Sequence, residues 1–221
     1  MEQAWRDLGS WRDDDVERFL KQAVPITQAA QRQSVIVTNS FVASFRRKAP
    51  AQIPVATILK SLRGGVPPDE VYARPFKTLW TRLGAGEAFE AASAAALQQL
   101  LASATIDPQL AMRSTADWID RNVTGSYGYT RVANPGACDF CLEVDGAYVK
   151  ADDGFAMALH NGCICSLEPN LEPHEGAVTL PDGTEVRDYQ YGPLNDNVAV
   201  REHSELGPML ADPNHQFTSL N

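Results

Sequence analysis

At 221 residues, 44% hydrophobic and 21% charged, the chain has the composition of an ordinary globular protein, long enough for one large domain or one domain with a small satellite. No apolar run approaches the roughly 18–20 residues that cross a bilayer. The opening stretch Met1 to Ser10 carries Glu2, Arg6 and Asp7 and lacks the apolar centre of a secretory signal, so a cytoplasm-like compartment is expected. The net charge of −9 is unevenly spread: residues 1–121 hold 15 Lys/Arg against 13 Asp/Glu, residues 122–221 only 4 against 15. A broad phosphate-binding surface, which needs clustered Lys and Arg, is thereby excluded from the second half.

Residues 11–48 are expected to form a long helix. Val16, Phe19, Leu20, Ala23, Ala30, Val37, Phe41 and Phe45 recur close to the 3.6-residue period. Ser10 or one of Asp13 to Asp15 can cap its start, and the acidic run suits the positive end of the helix dipole. Pro25 lies inside the pattern and predicts a kink or a split. Arg46, Arg47 and Lys48 form the only basic cluster, which reads as a solvated helix end.

A short segment, Val55 to Arg63, is stopped by Gly64 and Gly65. Val66-Pro67-Pro68-Asp69 opens another helical stretch to about Leu83, interrupted by Pro75. Residues 87–104 are rich in alanine and leucine, both strong helix formers. Asp107-Pro108 then predicts the start of a separate helix running to about Asn122, with aspartate as cap and proline at the first helical position.

The character changes at Thr124-Gly125-Ser126-Tyr127-Gly128, after which come short β-prone pieces and every cysteine in the chain. Val178-Thr179-Leu180 and Thr184-Glu185-Val186, joined by Pro181-Asp182-Gly183, predict a hairpin. Residues 192–221, with prolines at 193, 208 and 213, read as an extended acidic tail with too few apolar residues for a core of its own. The expected architecture is therefore mainly α: a kinked-helix domain over 1–123, a small zinc-stapled β-rich module over 124–170, and a hairpin with an extended tail over 171–221.

The four cysteines and one histidine fall in the pattern C-x2-C-x18-H-x2-C-x-C, formed by Cys138, Cys141, His160, Cys163 and Cys165. A C-x2-C knuckle lets two thiolates converge on one ion, and a second close pair completes the tetrahedron that zinc prefers. Five candidates compete for four positions. Cys138, Cys141, His160 and Cys163 are the favoured set, because the two members of a Cys-x-Cys pair can point to opposite sides of an extended chain. An all-cysteine set would leave His160 as a supporting group. Disulfides, a thioredoxin-like redox pair at Cys138-Asp139-Phe140-Cys141, and buried inert thiols are the competing readings. Compartment disfavours the first, and the absence of a βαβ context disfavours the second.

A catalytic zinc needs an open position and a nearby base. His160-Asn161-Gly162 offers no glutamate. His203-Ser204-Glu205 has the H-x-E spacing of nucleic-acid deaminases but lies after the cysteines rather than before them. His174, His203 and His215 sit in polar surroundings and are expected to face solvent. The zinc is therefore expected to be structural and the protein not an enzyme.

Ala137-Cys138-Asp139-Phe140-Cys141, then Val144-Asp145-Gly146-Ala147-Tyr148, then His160-Asn161-Gly162-Cys163-Ile164-Cys165 and Pro169 resemble the C-terminal motif of MuF-like phage head morphogenesis proteins. The long helical region followed by this module is similar to minor capsid proteins of tailed phages of actinobacteria, as is the closing His203 to Leu210 stretch. The resemblance implies a non-enzymatic minor head protein present in several copies. It would act with the portal protein and inner capsid shell in the host cytoplasm during assembly and remain inside the virion head near the portal. It implies neither membrane nor sequence-specific nucleic-acid binding. Ile164 departs from the basic residue that the family often places between the last two cysteines, which removes one argument for an anionic partner there. Two other classes fit the cysteine pattern: a zinc-dependent nucleic-acid enzyme of nuclease type, and a cytoplasmic zinc-ribbon adaptor.

Overall fold

The structure, a computed structural model, describes residues 1–137, 141–142, 145–146, 148–149, 165–171, 178–179, 185–186 and 199–211. It is mainly helical. The helices are α1 (Glu2–Arg6), α2 (Asp13–Phe45), α3 (Val55–Ser61), a 3-10 turn (Leu62–Gly65), α4 (Pro68–Gly84) and α5 (Phe89–Asn122). The strands are β1 (Tyr129–Val132), β2 (Tyr148–Val149), β3 (Ser166–Pro169), β4 (Val178–Thr179), β5 (Glu185–Val186), β6 (Ala199–His203) and β7 (Gly207–Ala211). The long helices α2, α4 and α5 pack on one another. No helix among the described residues is long and apolar enough to cross a membrane.

The start of α2 follows its acidic first turn. Asp15 Oδ2 accepts bonds from the Ser10 amide at 2.7 Å, the Ser10 hydroxyl at 2.9 Å and the Trp11 amide at 2.8 Å. An acid in the third helical position thus reaches back to satisfy amides ahead of the helix. These donors, the Ser10 amide foremost, hold the Asp15 carboxyl down to about 2.

None of the prolines at 25, 75 and 108 splits its helix, and α4 runs through Pro75, where an interruption was expected. Helix α2 runs unbroken through Pro25, and α5 is one 34-residue helix that runs through Pro108 instead of beginning there. Packing on both sides outweighs the lost hydrogen bond. Ile106, Leu110 and Ala111 are buried around Pro108, and Ser34 of α2 donates from its hydroxyl to the Pro108 carbonyl at 2.7 Å. Asp107, expected as a cap, is consequently an interior helical residue, 2% exposed.

The helical core has an aromatic end and an aliphatic end. Trp5, Phe19, Tyr72, Phe76, Leu79, Ala92, Ala96 and Leu100 form the first, with the rings of Trp5 and Phe76 tilted against each other at a separation of 4.8 Å. Small alanines on α5 let the aromatic rings of α1, α2 and α4 lie close to its backbone. Val35, Ile58, Leu62, Ile106, Leu110 and Ala111 form the second.

Strands β2-β1-β3 make an antiparallel sheet with Tyr129 opposite both Val149 and Pro169. It is tied to α5 by Tyr129, whose buried hydroxyl donates to the Ala116 carbonyl at 3.0 Å, and by the Gly128 amide bonded to Asp120 at 2.9 Å. The predicted hairpin appears as β4-β5, with Val178 opposite Val186 and Thr179 opposite Glu185. Residues 199–211, read from sequence as part of an extended tail, instead form the hairpin β6-β7, with His203 opposite Gly207. Two apolar residues suffice to dock it: Leu206 and Met209 are 5% and 2% exposed and join the aliphatic end of the helical core. The segment borrows a core rather than building one.

Candidate functional site

Of the five predicted zinc ligands, Cys141 and Cys165 lie among the described residues; Cys138, His160 and Cys163 lie outside them. Cys141 is 0% exposed and Cys165 4%, and both belong to the cluster that holds Val35, Ile58, Ile106 and Leu110. Local bonding explains how residues 24 positions apart meet. The β1-β3 ladder ends at Val132 opposite Ser166, so Ala133 and Cys165 leave it at the same end. Asn134 accepts a bond from the Ser166 hydroxyl at 3.2 Å, and its carbonyl accepts the Ala137 amide at 2.9 Å. Asp145 accepts the Ala133 amide at 2.8 Å, and the Gly146 amide donates to the Arg131 carbonyl at 2.9 Å, which folds the segment after Cys141 back onto β1. Among the described residues, no group of three or more His, Cys, Asp or Glu side chains gathers that could hold a metal ion. Two buried sulfurs at one end of a small sheet are donors of the kind that zinc takes.

A second constellation, not singled out from the sequence, lies where the 3-10 turn, α4, α5 and the β6-β7 hairpin converge. Arg63 Nε donates to Asp107 Oδ1 at 2.6 Å, and the Tyr72 hydroxyl donates to Asp107 Oδ2 at 2.8 Å. All three side chains are buried. Burial, and secondarily the Asp107 charge, push the Tyr72 hydroxyl well above its usual range, so it stays protonated as the donor. Arg74 makes a two-pronged contact with Glu205, at 2.6 and 2.8 Å, and Arg63 Nη1 lies 3.6 Å from the same carboxylate. The Arg74 bonds hold the Glu205 carboxyl below the ordinary glutamate range.

Glu205 sits in the hairpin turn, and His203 sets that turn. His203 Nδ1 accepts the amides of Glu205 at 3.1 Å and Leu206 at 3.2 Å. His203 was expected to face solvent; it is half-buried and structural. Close approach is possible because residue 64 is glycine: at φ +63, an added Cβ would lie 3.1 Å from the Ser204 carbonyl oxygen. The sequence signals for these residues pointed elsewhere. Arg63-Gly64-Gly65 reads as a helix stop and Asp107-Pro108 as a helix start, and neither pattern reveals that the two segments pair across 44 residues.

A groove of about 620 Å³ runs between α3, α5 and this turn, with Arg63, Asp117, Arg121 and Glu205 among its walls. Two of its acids are paired: Asp117 with Arg121 at 3.1 Å, and Glu205 with both Arg74 and Arg63. The basic cluster at the end of α2 has a structural partner too, since Arg46 donates to the Thr124 carbonyl at 2.8 Å and so ties α2 to the loop after α5.

No protein-family model matches the chain, and no similar protein is found among curated proteins or solved structures.

Proposed function

We propose that the chain is a non-catalytic minor head protein of a tailed phage, of the MuF-like kind. It works with the portal protein and inner shell and carries one structural zinc on four of Cys138, Cys141, His160, Cys163 and Cys165. The observation that carries this reading is the convergence of Cys141 and Cys165 in one buried cluster against the helices. A metal at that place staples a short β-rich module onto a helical body, which suits a scaffold. Zinc then supplies folding energy to a module whose own apolar surface is small.

Metal content per chain tests the zinc. One equivalent in the wild type, lost in Cys138→Ser and Cys163→Ser together with the near-ultraviolet signal of the C-terminal half, is the expected result. A well-folded, zinc-free wild type overturns it. Co-purification with the phage's portal protein separates the head-protein reading from that of an adaptor outside any virion.

A further inference from the structure

A second cleft, of about 480 Å³, opens between α2, α3 and the start of α4. Its charged lining is one-sided. Arg32, Lys60 and Arg63 face a single acid, Asp107, which is already bonded to Arg63 and Tyr72. Arg32 is the only charged residue on α2 between Lys21 and Arg46, and Lys60 is the only one on α3. Both are exposed, and neither makes an ion pair among the described residues. Arg63, in the same wall, is 8% exposed, and among the described residues its buried Nη2 has no hydrogen-bond partner. A buried guanidinium nitrogen left without an acceptor is costly, and a bound anion removes that cost. Its fixed position, held by Asp107 on one side and near Glu205 on the other, means that a ligand would meet a donor already in place.

We propose that this cleft binds a phosphate-bearing anion, with Arg63 Nη2 as the buried donor and Lys60 and Arg32 as the cations at its mouth. A tetrahedral oxyanion suits a cleft lined by three cations better than a carboxylate, because it carries up to two charges and offers oxygens in several directions. The site is independent of the zinc module and of the head-protein reading, so either stands if the other fails. Two sources supply such a group: free phosphate, and the backbone of a nucleic acid.

The test is calorimetric titration of the full chain with inorganic phosphate at low ionic strength, and in parallel with a short single-stranded oligonucleotide. Saturable phosphate binding is expected, weakened about three- to fivefold in each of Lys60→Met and Arg32→Met and more in the double variant. Both positions are exposed, so the variants are expected to keep the wild-type circular dichroism and melting temperature. Oligonucleotide binding that phosphate competes away assigns the group to nucleic acid; phosphate binding without it assigns it to the free ion. No saturable phosphate binding in the wild type, or equal binding in the folded double variant, overturns the proposal.

Discussion

The two halves of the molecule solve the burial problem in opposite ways. Residues 1–122 close on themselves: aromatic rings from α1, α2 and α4 fill one end against the alanines of α5, and aliphatic side chains fill the other. Past residue 123 the described elements are short strands that contribute single anchors to the helical body. Tyr129 and Leu167 reach Val42, Ala116 and Ile119, while Cys141, Cys165, Leu206 and Met209 complete the aliphatic end. One half owns a core, and the other leases positions in it. The C-terminal elements should therefore be coupled to helix packing at a few identifiable points, and those points are where the comparison can be broken.

The largest effect is expected at Asp107. Replacing it by alanine leaves the Arg63 guanidinium and the Tyr72 hydroxyl buried without their shared acceptor, at a cost of about 3–5 kcal/mol. Urea denaturation should show this as a lower midpoint. The Arg63 contact with Glu205 should weaken as well, so the hairpin should become more open to limited proteolysis. Loss of global stability with an unchanged cleavage pattern would mean that the hairpin docks without help from this cluster.

Next in size are the apolar anchors. Leu206→Ala and Met209→Ala each remove a buried side chain from the shared cluster, at about 2–4 kcal/mol if the hairpin stays docked. If the hairpin instead detaches, the loss in global stability is smaller, and amide exchange in residues 199–211 accelerates while α2 and α5 stay protected. The second outcome is the one expected of a segment that borrows its core, and it distinguishes a leased position from an owned one.

How far the sequence discloses all this follows from which interactions are local. Helix existence and most boundaries follow from periodicity and capping, and the β4-β5 pairing follows from β-prone segments flanking Pro181-Asp182-Gly183 in the sequence. Pro25 and Pro108 mislead because their cost is local, whereas the packing that overrides it comes from residues far along the chain. The apolar anchors that dock residues 199–211 are only Leu206 and Met209, too sparse for any periodic signal. The charged cluster is hidden for a related reason. Arg63, Tyr72, Asp107 and Glu205 come from four segments, and each sits in a motif with an adequate local explanation. The cysteine spacing is a local signal and so is legible in the sequence; the structure adds that Cys141 and Cys165 share one buried cluster.

A gain is expected from Pro25→Ala. Position 25 is exposed, and the helix already continues through it, so alanine restores a backbone donor and better helix propensity without disturbing packing. Stability should rise by about 1 kcal/mol, read as a higher melting temperature. An unchanged or lower value would mean that a bend at proline is needed for α2 to follow α5.

The smallest effect is electrostatic and sets the pH response of the hairpin clamp. Glu205 and Asp15 both have carboxyls held below their ordinary values, Glu205 by Arg74 and Asp15 by the amides of Ser10 and Trp11. A depressed carboxyl stabilises the fold fully above its unfolded value, about 4. That contribution fades as pH falls and the native carboxylate takes up its proton. For Asp15 the loss extends down to about pH 2. Glu205→Gln removes the ionic part of the clamp while keeping its shape. It should cost about 0.5–1 kcal/mol at neutral pH, because the pair is partly solvated, and almost nothing once the wild-type glutamate is protonated. The stability curves of the two proteins should therefore converge on acidification, while the decline assigned to Asp15 persists in both. Parallel curves down to acid pH would show that the charge of Glu205 adds nothing to the clamp, and that its contacts with Arg74 hold the turn by shape and packing.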